Sequence, residues 1–146
     1  SSGHGSSSGG RSASRAVNAG SWKQDTNGWW YENADQTYPV NTWKYLNYMN
    51  NDSWYYFDEN GYMQTGWFQD IDGKWYYLNP VSDGTLGSMV IGWKWIKGLD
   101  GKERCYYFEP RSTGYRGSLY QSTITPDGYQ VDANGAWIEN GEVVLR

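Results

Sequence analysis

The sequence has only one cysteine and one histidine among its 146 residues, which excludes several kinds of site. With Cys105 alone, the chain can form no internal disulfide and no zinc site of clustered thiolates. A single thiol of this kind is expected to lie buried or half-buried as a small apolar group. His4 lies in a segment of serine and glycine, which lacks the rigid surroundings that catalysis needs. We therefore expect no catalytic site, no metal site and no cofactor.

Long apolar runs and clusters of basic residues are also missing. A transmembrane helix needs about 18 consecutive apolar residues, and no such window occurs. The first residues lack the apolar core of a signal peptide. The net charge is −4 and the pI is about 4.9, whereas nucleic-acid-binding surfaces need clustered Lys and Arg. We expect neither a nucleic-acid partner nor insertion into a membrane.

Aliphatic residues are scarce, and aromatic residues take their place. The mean hydropathy is −0.86, and the chain has 10 Trp and 14 Tyr against only 3 Phe. Trp and Tyr combine an apolar ring with a polar group, so they suit half-exposed positions that face a ligand. The 19 glycines indicate that the chain turns often.

The first 21 residues differ in composition from the rest. Residues 1–21 are dominated by Ser and Gly, which predicts a flexible linker or a remnant of an expression vector. A linker at the start favours a further domain upstream. Residues 22–146 are predicted to form a single repeat module.

Aromatic runs recur along this module, each followed by a turn and most by a second Trp. The runs are Trp30-Tyr31, Trp54-Tyr55-Tyr56-Phe57, Trp75-Tyr76-Tyr77-Leu78 and Cys105-Tyr106-Tyr107-Phe108. The last two lead into longer turns with matching Pro, Ser and Gly positions, at 79–89 and 109–119. A fifth unit at 128–137 parallels residues 54–63. Self-similarity of this kind is typical of repeat architectures.

Each unit is predicted to be a β-hairpin made of an aromatic strand, a Gly-containing turn and a short second strand. Helical periodicity is absent, and glycine and asparagine recur too often for long helices. Because such short hairpins are marginal alone, we expect them to stack and cover each other's aromatic faces. The prediction is an all-β solenoid of about five hairpin repeats with an atypical carboxy-terminal cap.

Strand alternation divides the side chains of each run between two faces. Trp75 and Tyr77 share one face, while Tyr76 and Leu78 share the other. One face is expected to pack in the core, and the other to line a groove to which the next hairpin adds a Tyr. Three rings around a small cavity attract a quaternary ammonium group, with about 0.5–2 kcal/mol from each ring. Such rings can also stack against a sugar.

The combination of Gly66-Trp67, Trp75-Tyr76-Tyr77, Gly87, Met89 and Gly92-Trp93 resembles the choline-binding, or cell-wall-binding, repeat of Gram-positive surface proteins. The resemblance covers residues 22–137. It implies a solenoid of β-hairpins that attaches secreted proteins to the bacterial cell wall through phosphocholine on teichoic and lipoteichoic acids. It also implies that choline lies on two aromatics of one repeat and one of the next, often beside a Met.

Three choline cages follow from the resemblance. The first consists of Trp67, Trp75, Tyr107 and Met89, the second of Trp43, Trp54, Tyr77 and Met63, and the third of Trp22, Trp30 and Tyr56. The third cage has Pro39 where the others have a Met. The second Tyr of each run is chosen from strand alternation, and the first Tyr remains the alternative wall.

The fourth unit departs from the family pattern at two positions. Cys105 replaces the expected Trp of the aromatic run, and Thr123 stands where the closing Trp belongs. We therefore expect Trp93 to lack a complete cage and the series of sites to end there.

Three functions remain open from the sequence. The first is a non-catalytic surface attachment module that binds choline, with any enzyme or adhesin upstream. The second is a carbohydrate-binding module for glucan-like polysaccharide, because related repeats in glucan-processing enzymes bind sugar. The third is a structural stalk or self-association domain whose aromatics only pack. By analogy with the family, exposed terminal hairpin faces would also allow a homodimer.

Overall fold

A computed structural model describes residues 19–146, so nearly all of the predicted linker at 1–21 lies outside the described residues. The described residues form twelve β-strands and no helix. No segment of this range is therefore a helix that could span a membrane.

Eight of these strands form four successive two-stranded hairpins. Their bounds are β1 Ser21–Asp25 with β2 Gly28–Glu32, β3 Thr42–Tyr48 with β4 Asn51–Phe57, β5 Gly66–Gln69 with β6 Trp75–Leu78, and β7 Gly92–Lys97 with β8 Glu103–Phe108. The other four are β9 Thr123–Ile124, β10 Gln130–Val131, β11 Trp137–Glu139 and β12 Glu142–Val143, in one sheet of order β12-β11-β10-β9. The all-β fold of hairpin repeats is confirmed, and its last part is atypical as predicted.

The hairpins are offset from the predicted ones. Each aromatic strand pairs mainly with the strand before it, whereas we expected it to pair with the segment after it. β3 and β4 pair over their whole length, from Thr42↔Phe57 to Tyr48↔Asn51. The segment after β4 adds a single bridge, Phe57↔Met63. The predicted second strand of this unit is thus reduced to one residue.

The two kinds of turn explain this offset. Met49 and Asn50 connect β3 to β4 with φ values of 50° and 66°, and two such residues match the twist of paired strands. In the turn after β4, the Asp58 carboxylate accepts the backbone amides of Asn60 and Tyr62, both at 2.9 Å. A turn held by its own carboxylate satisfies these amides without a strand partner. The chain therefore leaves β4 without continuing the ladder.

The same carboxylate turn recurs near the end of the chain. Asp132 accepts the amides of Asn134 and Ala136, again at 2.9 Å. Residues 128–137 therefore parallel residues 54–63 in hydrogen bonding as well as in sequence. In this parallel, Trp137 occupies the position of Met63.

The described chain divides into two compact units. Unit 1 comprises the residues up to Phe68, together with Tyr77–Met89 and Ser112–Gly114. Unit 2 comprises Gln69–Tyr76, Val90–Arg111 and Tyr115–Arg146. The hairpin β5–β6 contributes residues to both units.

Aromatic side chains form much of the core of unit 1. Tyr31, Leu46, Tyr55 and Phe57 pack together with at most 1% of their surface exposed, and Trp22 and Met63 pack against them. In unit 2 the most deeply buried side chains include Tyr76, Phe108 and Val131. Aromatic rings thus supply the apolar area that the scarce aliphatic residues cannot.

Candidate aromatic binding sites

A Trp–Tyr pair recurs across the two strands of every hairpin. Ring centroids lie 5.5 Å apart in Trp22–Tyr31, 5.3 Å in Trp43–Tyr56, 5.1 Å in Trp67–Tyr77 and 5.0 Å in Trp93–Tyr107. Directly opposed residues of a hairpin share one face. Each Trp therefore covers a Tyr of the aromatic strand opposite it, and these four Tyr are buried.

A backbone hydrogen bond also recurs, and it joins each of the first three hairpins to a later turn. The first Trp of the aromatic run accepts this bond at its carbonyl oxygen. The donors are the amides of Met63 to Trp29 at 2.7 Å, Met89 to Trp54 at 3.0 Å and Leu119 to Trp75 at 2.8 Å. We call Met63, Met89 and Leu119 the turn-end residues. The bonds connect each Met one hairpin earlier than the sequence prediction, which grouped Met63 with Trp54 and Met89 with Trp75.

A cavity of about 80 Å³ in unit 1 combines these two features. It is lined by Trp22, Trp29, Tyr48, Tyr55, Met63, Ser82, Gly84 and Leu86. Its aromatic walls come from the first two hairpins, and its remaining walls from the turn-end residue and the long turn at 79–88. The cavity therefore draws on three successive repeats.

Three rings of this cavity stand at steep angles to one another. The Trp22 ring lies 6.5 Å from Trp29 at 83° and 6.1 Å from Tyr48 at 81°. Trp29 and Tyr48 lie 6.1 Å apart at 66°. The indole of Trp22 is held in place because it donates to the Asn47 carbonyl at 3.0 Å. All three rings line the cavity and are steeply inclined to one another.

The long turn at 79–88 is fixed by its own polar groups. The Asn79 side-chain amide lies 2.7 Å from the Thr85 hydroxyl and 3.1 Å from the Asp83 carboxylate. The Thr85 hydroxyl and amide donate to that carboxylate and hold the pKa of Asp83 below its usual value. Ser82 and Leu86 therefore reach the cavity from an ordered turn.

Tyr55 lines the cavity, and its side chain carries a buried hydroxyl group. Burial raises the pKa of Tyr55 to about 12, and the nearby Asn51 side chain offsets part of this effect. The hydroxyl has no partner of normal hydrogen-bond geometry among the described residues. Tyr55 also touches Trp22, at a ring-centroid distance of 4.9 Å.

The structure places only Trp22 of the third predicted cage at the cavity. Because Trp22 pairs with Tyr31 and Lys23 with Trp30, Trp30 lies on the face opposite to Trp22. Trp30 packs instead against Tyr38, at 5.8 Å. Trp29 takes its place in the cavity, and Tyr48 and Tyr55 line it where Tyr56 was predicted. Trp29 was overlooked because the segment from Trp22 to its partner Tyr31 is one residue shorter than the segment from Trp67 to Tyr77.

The rings of the second predicted cage are packed against protein. Trp43, Trp54 and Tyr77 are 8%, 2% and 8% exposed. Phe68, which the sequence reading did not include, lies 6.0 Å from Trp43 and 4.1 Å from Tyr56. A cage at this position stays a prediction, and its rings are less accessible than those of Trp22, Trp29 and Tyr48, which are half-buried.

The first predicted cage also stays a prediction. Trp67 is 36% exposed and packs against Tyr77. Trp67 and Met89 belong to unit 1, whereas Trp75 and Tyr107 belong to unit 2.

A protein family model matches the middle of the chain. Residues 47–90 match the choline-binding repeat family. The resemblance drawn from the sequence is confirmed. The matched segment runs from the end of β3 to the residue after Met89, and it includes the turn-end residues Met63 and Met89.

The chain is similar to a phage protein and to several solved structures. The lysin of Pneumococcus phage Dp-1 is 41% identical over 54 residues, or 36% of this chain and 18% of the lysin. CbpF in complex with ipratropium is 35% identical, with a TM-score of 0.60 over 90% of this chain and 35% of CbpF. The multimodular pneumococcal cell wall endolysin from phage Cp-1, complexed with choline, is 25% identical, with a TM-score of 0.53 over 89% of this chain and 40% of the endolysin. The chain therefore spans less than half the length of each.

Proposed function

We propose that this chain is a non-catalytic attachment module that binds choline between the aromatic rings of successive hairpins. The cavity lined by Trp22, Trp29 and Tyr48 is the observation that carries the proposal. The choline complex of the similar endolysin supports it. The expected partner is choline or phosphocholine on teichoic and lipoteichoic acids, and the expected location is the bacterial cell wall. The cages predicted around Trp54 and Trp67 belong to the same proposal.

The spacing of the three rings suits a quaternary ammonium group. A cation about 4.5 Å from each of three perpendicular ring faces requires centroids about 6.4 Å apart, within the range of cation–π attraction. The observed separations are 6.1 to 6.5 Å. A trimethylammonium group has no hydrogen-bond donor, so it needs ring faces and the Met63 thioether rather than acceptors.

The test is a titration of choline into the full chain. Binding is monitored by the NMR signal of the Trp22 indole NH. This resonance reports on the cavity because Trp22 is one of its walls. Trp29→Leu removes a neighbouring wall and is expected to weaken choline binding at Trp22 about 2- to 30-fold. Trp30→Leu is the matched control, since Trp30 lies on the other face of the same strand. The neutral isostere 3,3-dimethylbutan-1-ol should bind more weakly than choline, because it lacks the charge.

Other outcomes would select other functions. An equal loss in Trp30→Leu would contradict the placement of the site. A response to isomaltotriose without a response to choline would favour the polysaccharide-binding alternative. If neither ligand changed the NMR signal, the aromatic residues would serve only to pack the hairpins of a structural stalk.

A further inference from the structure

A second set of steeply inclined rings lies at the carboxy-terminal end of unit 2. Trp93 of β7, Trp137 of β11 and Tyr129 lie 5.8 to 6.3 Å from one another. The interplanar angles are 88° for Trp93–Tyr129, 85° for Tyr129–Trp137 and 62° for Trp93–Trp137. The three rings repeat the geometry of Trp22, Trp29 and Tyr48 with slightly shorter separations. By the same reasoning, a cation would lie about 4.2 Å from each ring.

This corner reaches solvent. Tyr129 is 45% exposed, and Trp93 and Trp137 are half-buried. Tyr107 supports Trp93 from its own hairpin, at 5.0 Å. Trp93 is therefore packed against its own hairpin, and the Tyr129 ring is accessible from solvent.

Two substitutions at repeat positions explain how this corner arises although the aromatic run of β8 has no Trp. Cys105 stands where the earlier hairpins have Trp29, Trp54 and Trp75. Trp137 stands at the turn-end position, where Met63 lies in its parallel. A bridge between Tyr106 and Ala136 places the residue before Trp137 against β8. The ring missing from the aromatic run is thus supplied by the last sheet.

A carboxylate adjoins this corner, whereas the residues lining the Trp22 cavity include no acidic side chain. Asp127 accepts the indole NH of Trp93 at 2.9 Å and also the Thr125 hydroxyl. These two donors, Thr125 first, hold the pKa of Asp127 below its usual value, so the group is negatively charged at neutral pH. A fixed negative charge beside aromatic faces favours a cation further.

We propose that Trp93, Tyr129, Trp137 and Asp127 form a second binding site for an organic ammonium cation. This reverses the expectation that Trp93 lacks a complete cage. The inference extends the ring chemistry of the proposed function to a place where the repeat pattern is broken. Because Asp127 can also accept an N–H, the site takes protonated N,N-dimethylethanolamine as well as choline. Its preference for choline over that amine is therefore smaller than at the Trp22 cavity.

The experiment uses NMR of the full chain and follows the indole NH signals of Trp22, Trp93 and Trp137 during titrations with choline and with N,N-dimethylethanolamine. We expect Trp93 and Trp137 to shift together and to saturate. Tyr129→Leu should weaken binding at Trp93 about 2- to 30-fold and leave Trp22 unaffected. Tyr129→Phe is the matched control, because it keeps the ring and should bind within about twofold of the original. Asp127→Asn keeps an acceptor for the Trp93 indole and should weaken binding of both cations.

The outcomes separate this inference from the proposed function. Shifts at Trp22 with none at Trp93 and Trp137 would overturn the second site and leave the choline cavity intact. Shifts at Trp93 and Trp137 that persist in Trp29→Leu, with none at Trp22, would support the second site alone. If Tyr129→Phe lost as much binding as Tyr129→Leu, the ring face would not be the binding element, and the proposal would be wrong.

Discussion

At the scale of single residues, Gly87 shows how a missing side chain shapes the Trp22 cavity. Its φ is 83°, a left-handed backbone that costs other residues about 1–2 kcal/mol. A Cβ at this position would also overlap the Met63 thioether. Because Met63 lines the cavity, the absence of a side chain at Gly87 determines both the conformation of the turn and the space available beside the rings.

We therefore expect Gly87→Ala to destabilise the fold and to weaken choline binding at Trp22. Gly73→Ala is the control for backbone strain alone, since its φ is 85° and no atom lies within 4 Å of the added Cβ. Urea unfolding should show a larger loss for Gly87→Ala than for Gly73→Ala. The NMR titration should show weaker choline binding only for Gly87→Ala. Equal behaviour of the two variants would mean that Met63 moves aside freely.

At the scale of elements, the long turn at 79–88 should set which cations enter the Trp22 cavity. Leu86 lines the cavity, whereas Val81 of the same turn does not and is 55% exposed. Leu86→Ala removes three methyl-sized groups from one wall, so we expect benzyltrimethylammonium to gain affinity relative to choline. Val81→Ala should leave that ratio unchanged. The ratio is measured by titration at the Trp22 signal, and an unchanged ratio in Leu86→Ala would exclude the turn from selectivity.

The turn at 109–119, which corresponds to the turn at 79–88, should make the stability of the fold depend on pH. Glu109 occupies the position of Asn79, and its carboxylate accepts from Arg111 at 2.9 Å and from the Tyr120 hydroxyl at 2.6 Å. Hydrogen bonding by Arg111 lowers the pKa of Glu109 from 4.5 to about 2. A lowered folded-state pKa stabilises the fold above pH 4.5, and this contribution is lost as the pH falls towards 2.

We expect Glu109→Gln to reduce stability at pH 7 by about 1–3 kcal/mol, since it removes charge-assisted hydrogen bonds. The same variant should lose less stability than the original chain between pH 4.5 and 2.5. Urea unfolding across this range measures both effects. Parallel curves of unfolding free energy against pH for the two proteins would show that Glu109 does not contribute to the acid dependence.

Local sequence patterns predicted much of the fold. They did not predict which residues distant in the sequence contact one another. The alternation of Trp75 with Tyr76 and the frequent glycine-containing turns are readable because they act within a few residues. Trp30 was chosen over Trp29 because the length of the first hairpin turn depends on a pairing register that composition does not reveal. The hydrogen bond from Met63 to Trp29 was not predicted, because a bond between distant backbone groups leaves no mark in the side chains. Trp137 lay outside the repeated Trp pattern, and only its parallel with Met63 could have indicated its place.

At the scale of the whole molecule, ligand binding should raise stability by mass action. A ligand at 100 times its dissociation constant adds about 2.7 kcal/mol for each site that unfolding destroys. Choline should therefore raise the unfolding midpoint in urea progressively with concentration. The increment should be smaller in Trp29→Leu than in Trp30→Leu, because only the first removes a wall of the cavity. Equal increments would mean that choline stabilises the chain elsewhere.

The turn-end hydrogen bond also has a consequence for how such a chain lengthens during evolution. Its donors, the amides of Met63, Met89 and Leu119, and its acceptors, the carbonyls of Trp29, Trp54 and Trp75, are all main-chain groups. The side chains of the donor and acceptor residues can therefore change without breaking this hydrogen bond between repeats. Leu119, which replaces the Met of the earlier repeats, is an example. A gene segment that encodes one hairpin and its turn carries one acceptor and one donor. Its tandem duplication supplies each new joint with both partners, so recombination can add or remove repeats without new contacts having to evolve.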